Sequence, residues 1–503
     1  MRHYFALFIF GILLALSSCR TDFDTVASSG DLKFSKDTVY LDTVFKNIGS
    51  STYQLKVYNR SKNDISIPTV QFKKGLNSKY RMTVDGMSGN NGKIFTNVTL
   101  LAKDSLYIFI ETTADITDAN PTDFLYTDEI QFDSGANLQE VALVTLIQDA
   151  VFLYPKQNAD GTKEKIKIDG KDVDGFYLNE TDPVNGNELI FTNQKPYVIY
   201  GYAGVPQNKT VTFNAGARVF FHANSGLYVD NNASLQINGT ASTTKKLENE
   251  VIFEGDRLES LYDDIPGQWK SVILSNGSTD HTINHLTLKN AITGLDIKGQ
   301  DDTTIQIKNT QIYNCTEYGI QAQNAKINGE NIVINYTGLA SLSCVYGGNY
   351  LFTHCTFNNN WSSSQFAVNL SNTLAGATPE TSPLTQATFN NCIIYGSNTN
   401  EFNLNKNTNA AFVYQLNNCL LKFSSSSTNP DYQFKTDPVH YNQIILNENP
   451  KFYDASNNKF NIDNTSSAFA KGNQAYIIPL DIIGATRTSP PDLGAYQSKD
   501  FPK

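Results

Sequence analysis

Charge is scarce in this chain: Asp, Glu, Lys and Arg together make only 17% of 503 residues. The formal net charge is −10, and no stretch gathers Lys and Arg into a basic stripe. That argues against a nucleic-acid polyanion as partner. Six cysteines occur and none forms a C-x-x-C pair, so the close paired spacing of a metal site is missing. No Gly-x-Ser-x-Gly elbow, P-loop or dinucleotide fingerprint is present, and without a Gly-rich strand-to-helix turn there is no phosphate cradle. No cofactor is expected. What remains is rich in Phe (30), Tyr (26) and Gly (32), with Asn and Thr plentiful, the profile of an all-β protein. The chain is too long for one compact core and should divide into two or more units.

The organising text runs from Leu286 to Leu339. Leu286-Thr287-Leu288-Lys289-Asn290, Gln311-Ile312-Tyr313-Asn314 and Ile332-Val333-Ile334-Asn335 are each a short apolar strand ending in Asn. Each is followed within a few residues by a Gly, at 294, 319 and 338, and a new strand start. The glycines stand 25 and 19 residues apart, so the period is about 22, that of a solenoid of stacked β coils. Bends between coils need left-handed or unusual backbone angles, which Asn and Gly accept. Stacked Asn side chains can also hydrogen-bond along the axis.

Four of the remaining cysteines, Cys315, Cys355, Cys392 and Cys419, sit in strand text at spacings of 40, 37 and 27. They read as one equivalent position on successive or alternate coils, thiols packed as small hydrophobes. Cys344 makes the set odd, which does not suit a disulfide framework.

The first residues form an export signal: Arg2 and His3, then an apolar run from Tyr4 to Leu16 too short to span a bilayer comfortably. Leu16-Ser17-Ser18-Cys19 resembles the bacterial lipobox, which implies a signal over 1–19 and lipid on Cys19. Asp22 and Asp24 follow, similar to the acidic export signal of Bacteroidota lipoproteins, so an outer-membrane, surface-exposed address is expected, with the membrane as one partner. Residues 20–30 read as a tether. From 31 to 148 about seven short strands alternate at period two, which fits an immunoglobulin-like β-sandwich serving as spacer or docking module. Residues 149–190 are Lys/Asp/Gly-rich and weakly patterned, and read as a junction of turns.

Coils are expected over 191–500. Val251-Ile252-Phe253-Glu254-Gly255 with Pro266-Gly267-Gln268-Trp269 resembles a segment of right-handed parallel β-helix lipoproteins of the pectate-lyase-like superfamily, where the Trp follows a loop leaving the solenoid. Asn449-Pro450-Lys451-Phe452-Tyr453, Ser466-Ser467-Ala468-Phe469 and Pro491-Asp492-Leu493-Gly494-Ala495-Tyr496 resemble the closing segment of such proteins. The expected fold class is all-β: an N-terminal sandwich followed by a right-handed parallel β-helix. The sandwich and the Pro490-Pro491 segment are expected to cap its two ends.

Because that superfamily includes pectate lyases and polygalacturonases, clustered carboxylates are the first chemistry to seek. Asp301-Asp302 and Asp263-Asp264 are the adjacent pairs, and neither is followed by the Gly-His-Gly or Arg-x-Lys text of polygalacturonases. They stand as weak catalytic candidates, better read as polar turns. Tyr313, Tyr318, Tyr336 and Trp361 offer aromatic faces for glycan contact, although strands favour Tyr in any case. The expected function is a non-catalytic adhesin or glycan-binding scaffold. The rival is a polysaccharide lyase or glycoside hydrolase acting on an acidic or complex polysaccharide.

Overall fold

A computed structural model describes residues 24–299, 303–361, 365–376, 379–424 and 429–501. The chain divides into two compact units, Met1–Asp149 and Ala150–Lys503. The signal, Cys19 and Asp301-Asp302 lie outside the described residues. Among the described residues no helix is long and apolar enough to cross a membrane.

Among the described residues the first unit holds two sheets, one of six strands and one of four. Nine of these strands lie in 31–148, where the alternation suggests about seven, and the tenth, Val26–Ala27, pairs with Ile65 and Ser66 inside the stretch expected to be a tether. Strand Ser105–Thr112 shows why they form: Leu106, Ile108 and Ile110 alternate inward while Tyr107 and Phe109 point outward. Residues of both sheets meet in one buried apolar cluster, including Val39, Ile67, Phe132 and Leu143 from one and Leu55, Val57, Met82 and Ile108 from the other.

The second unit is built from three large sheets of parallel strands, the pairing pattern of a parallel β-helix. Sheet 1 has eleven strands and sheets 2 and 3 have ten each. The chain visits sheet 3, sheet 1 and sheet 2 in turn: Thr282–Asn284, Leu286–Lys289, Leu295–Ile297, then Ile305–Lys308, Gln311–Cys315 and Tyr318–Gln323. Each strand pairs with its counterpart one coil later, as Leu288 does with Ile312 and Ile312 with Ile334. Inward residues therefore stack on chemically like residues; Phe352 lies 5.3 Å from Phe389, and Trp269 stacks on Phe221 at 4.2 Å. Full burial of each such side chain contributes roughly 1.5–3 kcal/mol.

The bend from sheet 3 to sheet 1 is a single left-handed residue. His285, Asn309, Asn331, His354, Asn391, Asn418 and Gln443 occupy it in turn, with φ between 48° and 55°. Asn tolerates this region better than most side chains, and here it gains axial hydrogen bonds. Asn331 Nδ2 donates to Asn309 Oδ1 (2.9 Å), and Asn309 Nδ2 to Asn284 Oδ1 (3.0 Å). Beside this bend Cys355, Cys392 and Cys419 follow three successive left-handed residues as free, buried thiols, with the Cys355 amide donating to Cys392 Sγ at 3.4 Å. Cys315 departs from the expected equivalence, since it ends its sheet 1 strand at the opposite side.

Three expectations need correction. Residues 149–190 are not a junction of turns. Val151–Leu153 and Ile190–Phe191 open sheets 1 and 3, and the hairpin Lys165–Ile168 with Lys171–Tyr177 opens sheet 2. This hairpin folds Ile166 and Ile168 against Tyr228 and Ile273 on the outer face of sheet 2. Its apolar alternation is only two residues deep, too short to stand out from its Lys and Asp neighbours.

Second, the closing segment does not cap the coil end; it runs along the outer face of sheet 1. Phe460, Ile482, Ala495 and Tyr496 cover Tyr313 and Val333, while Ile462, Ala468 and Leu493 cover Ile393 and Leu420. Arg487 fastens it, donating from Nη2 to Asn331 Oδ1 at 2.8 Å and to the carbonyls of Gly494 and Ala495. The last rungs are closed instead by Tyr432 and Phe434, packed on Phe423 and Tyr441.

Third, Tyr313 is unavailable as a glycan contact. Its neighbours alternate as an exposed strand face would, but the closing segment leaves it only 8% exposed.

Replacing Asn309 by Ala removes two ladder hydrogen bonds and puts a Cβ residue without a compensating side chain at φ +48°. The expected cost is about 1–3 kcal/mol, with Asn309→Gly costing less because glycine accepts that backbone. Denaturant unfolding of the three proteins checks this; equal losses for Ala and Gly would show that backbone angle contributes nothing there.

Candidate functional site

The bend from sheet 1 to sheet 2 varies in length, with two residues after Cys315 and five after Lys289. Register places Asn290, Asn314 and Tyr336 in one column, because Lys289 pairs with Tyr313 and Tyr313 with Asn335. All three are left-handed, with φ of 67°, 56° and 57°. For Tyr336 this is an uncommon conformation, of the sort that costs about 1–3 kcal/mol and persists where the surroundings impose it. It leaves the ring 39% exposed, 5.0 Å from the ring of Trp361 on the next coil. Asn359 staples the two bends: its Nδ2 donates to Thr337 O (2.9 Å), and its Oδ1 accepts from the amides of Thr337 and Trp361 (3.2 Å each).

The pair is bracketed by two other segments. On one side the loop between Gly255 and Trp269 folds over the column: Asn290 Nδ2 donates to the carbonyls of Asp263 (3.0 Å) and Ile265 (2.9 Å), and Asn314 Nδ2 to Asp264 Oδ1 (3.1 Å). On the other, Asn335 Nδ2 donates to Asn458 Oδ1 (2.7 Å) and Asn360 Nδ2 to Ala455 O (3.1 Å) in the closing segment. The structure thus brings Asp264, Tyr336 and Trp361 to neighbouring positions on one corner. Asp263 is exposed beside Asp264. Tyr318 opens the next sheet 2 strand, half-buried, and burial followed by the Glu317 charge raises its hydroxyl pKa.

One coil beyond Trp361, on the same bend, Glu401 is fully buried. Asn398 N donates to its Oε1 at 2.7 Å, and burial lifts its carboxyl pKa to about 8. It stays neutral where an exposed carboxyl would ionise.

Sequence reasoning missed a second charged set at the start of the same face. Phe221 pairs with Gly255, so the residues that follow them, His222 and Asp256, become neighbours with Nδ1 and Oδ2 2.7 Å apart. Tyr200, one coil earlier, lies against the His222 ring at 4.4 Å, its hydroxyl pKa raised to about 12 by burial and the Asp256 charge. Glu254 pairs with Lys289 at 2.7 Å, and Thr287 Oγ1 donates to the buried Glu250 at 2.6 Å. His222 and Asp256 are 34 residues apart in the chain, and only the coil register brings them together. Among the described residues no group of three or more His, Cys, Asp or Glu side chains is placed to hold a metal ion.

No family model matches the chain, and no curated protein matches it. Among solved structures it is similar to the E. coli chaperone DraB, at 15% identity and TM-score 0.16, over 25% of this chain and 58% of that one. It is likewise similar to a PapD-like domain of human CEP192, at 10% identity and TM-score 0.16, over 26% and 96%. A third is the catalytic unit of a GH87 α-1,3-glucanase from Streptomyces thermodiastaticus, at 11% identity and TM-score 0.17, over 78% and 67%. At these scores none of the three bears on function.

The Glu401 carboxyl gives the corner a pH signature. Its folded pKa of about 8 lies above the ordinary 4.5. Stability from this group is therefore full below about pH 4.5 and falls as pH rises toward 8, where the unfolded chain ionises first. Glu401→Gln should flatten that slope and be more stable than the parent at pH 9, by urea unfolding between pH 4 and 9. An unchanged slope would mean the carboxyl is already ionised in the fold.

Proposed function

We propose that this chain is a lipid-anchored protein of the bacterial cell envelope that holds glycan on the sheet 1–sheet 2 corner without cleaving it. In this reading Cys19 carries lipid, the residues between it and the strand Val26–Ala27 are the tether, and the first unit is an immunoglobulin-like module that precedes the coil in the chain. The coil winds right-handed, as in the β-helix lipoproteins its sequence resembles. The address is the outer membrane, facing outward.

The observation that carries the glycan reading is the Tyr336–Trp361 pair. Two rings 5.0 Å apart on successive coils, one of them held out by a left-handed backbone, present apolar faces of sugar size. The side-chain amides of Asn335, Asn359 and Asn360 lie on the same bends, suited to sugar hydroxyls. At this corner Asp264 accepts a hydrogen bond from Asn314 Nδ2 at 3.1 Å.

The rival reading, a lyase or hydrolase, is favoured by one observation: His222, oriented by Asp256, is the arrangement of a general base.

A soluble form spanning 20–503 on a glycan array, with product analysis, separates the two. Specific retention without shortened chains is expected. Tyr336→Ala should weaken retention about tenfold, equivalent to about 1.4 kcal/mol. Chain shortening that disappears in His222→Ala would replace binding with catalysis as the function, and retention unaffected by Tyr336→Ala or Trp361→Ala would remove the corner from it.

A further inference from the structure

The four-stranded sheet of the first unit turns a second aromatic face outward, far more open than Tyr313 or Tyr318. Tyr107 and Phe109, two apart on strand Ser105–Thr112, are 41% and 43% exposed. Their rings stand 6.2 Å apart and within 16° of parallel, which makes one continuous apolar strip. Large apolar side chains exposed singly need no explanation, but two aligned rings on one sheet face form a patch.

The strands on either side decide what such a strip would accept. Register sets Lys56 opposite Tyr107 and Gln54 opposite Phe109 on one side, with Thr83 opposite Phe109 on the other. Lys33 pairs in register with Tyr58, the next outward residue beyond Lys56. Lys56 Nζ lies 4.9 Å over Tyr107 and 5.4 Å over Tyr58, and the Arg60 guanidinium 4.6 Å over Tyr58. Among the described residues, none of Lys33, Lys56 and Arg60 has a carboxylate in ion-pairing reach, whereas Arg81 is paired with Glu111 at 2.7 Å. In a chain of net charge −10, one sheet face gathers three cations, two of which, Lys56 and Arg60, lie over ring faces. Exposed cation–π contacts are worth only about 0.5–1 kcal/mol and yield to an anion.

Beyond Phe109 the strip ends in a cavity of about 300 Å³ lined by Arg81, Thr83, Ser88, Asn91 and Glu111. That is at the small end of ligand pockets, large enough for one sugar ring and too small for a helix or a lipid tail pair. Met82 and Phe109 share its lining with these polar side chains, so it offers an apolar wall to a sugar ring face and polar groups to its hydroxyls.

We infer that this face binds an acidic polysaccharide, a chain of uronic acid residues. Sugar rings stack along Tyr107 and Phe109, their carboxylates meet Lys56, Arg60 and Lys33, and a terminal or branching sugar enters the cavity at Arg81–Glu111. This site is separate from the Tyr336–Trp361 corner, and neither requires the other.

The test uses the soluble chain 20–503 with polygalacturonate as probe and dextran as the neutral control. Titration should show binding to polygalacturonate that weakens steeply with added NaCl and little binding to dextran. Tyr107→Ala combined with Phe109→Ala should lower affinity at least tenfold. Lys56→Gln combined with Arg60→Gln should lower it and reduce its salt dependence while leaving the rings in place, a control should the aromatic variant fold poorly. Tyr336→Ala should change neither, so failure of the corner reading is distinguished from failure of this one. Equal binding of dextran, or indifference to both face variants, would overturn the proposal. So would a face-dependent self-association, or capture on anionic vesicles in place of the polysaccharide.

Discussion

Every coil of the second unit is completed by the next. A parallel strand has half its backbone hydrogen bonds on each side, and in this stack each side meets the same strand one coil away, as Ile312 meets Leu288 and Ile334. Among the described residues no strand of the three large sheets between their ends is an edge, so interior positions can be uniformly apolar, with Phe stacked on Phe. The same repetition governs the bends. A backbone angle accepted once must be accepted on each coil, which is why the bend from sheet 3 to sheet 1 keeps one φ through seven coils while its side chains vary among Asn, His and Gln. The exposed ends are the hazard of the design. The final rungs narrow to two residues each, Leu420–Leu421, Tyr441–Asn442 and Ile445–Leu446, beneath the aromatic closure of Tyr432 and Phe434.

With the core so regular, individuality lies on the outer faces. Sheet 1 is covered over much of its length by the closing segment, and sheet 2 by the early hairpin at its first coils. Both attachments use apolar contacts, and the closing segment adds buried polar ones: Arg487 Nη2 donates to Asn331 Oδ1 and the Ala495 amide to Thr356 Oγ1. A segment held in this way sets which outward residues reach solvent. It buries Tyr313, and through Asn335 and Asn360 it borders Tyr336, so the corner is left open by what covers its neighbours.

Local text revealed what depends on local periodicity. The strands Leu286–Lys289 and Gln311–Cys315, Asn290 and Asn314 at their bends, the loop before Trp269 and the buried thiols could all be read from residues close together in the chain. Asn335, by contrast, falls inside strand Val333–Thr337, and Tyr336 takes the bend position. The rest depended on register between distant segments. Tyr313 and Tyr336 stand within two residues of an Ile on successive coils, yet register puts one on the strand face beneath residues 460–496 and the other at the bend. The closing segment has no strand periodicity to show where it docks. The hairpin at Lys165–Tyr177 has alternation, but Ile166 and Ile168 are too few to outweigh the Lys residues between them. His222 and Asp256 could not be paired without knowing how many residues the intervening coil spends in its bend.

This dispersal is a property of the architecture and bears on how chemistry can arise in it. In a compact fold, functional side chains often come from one loop or one strand end. Here each coil contributes a single residue to any column along the axis, and successive contributions stand about 4.8 Å apart. Tyr200, His222 and Asp256 follow that rule, as do Asn290, Asn314 and Tyr336. A ligand matched to such a column must itself be long and repeat on a similar scale, which describes a polysaccharide better than a compact metabolite. The four-stranded sheet of the first unit obeys a different spacing, with Tyr107 and Phe109 two residues apart on one strand. The two units therefore present aromatic faces built by unrelated routes, one across coils and one along a strand.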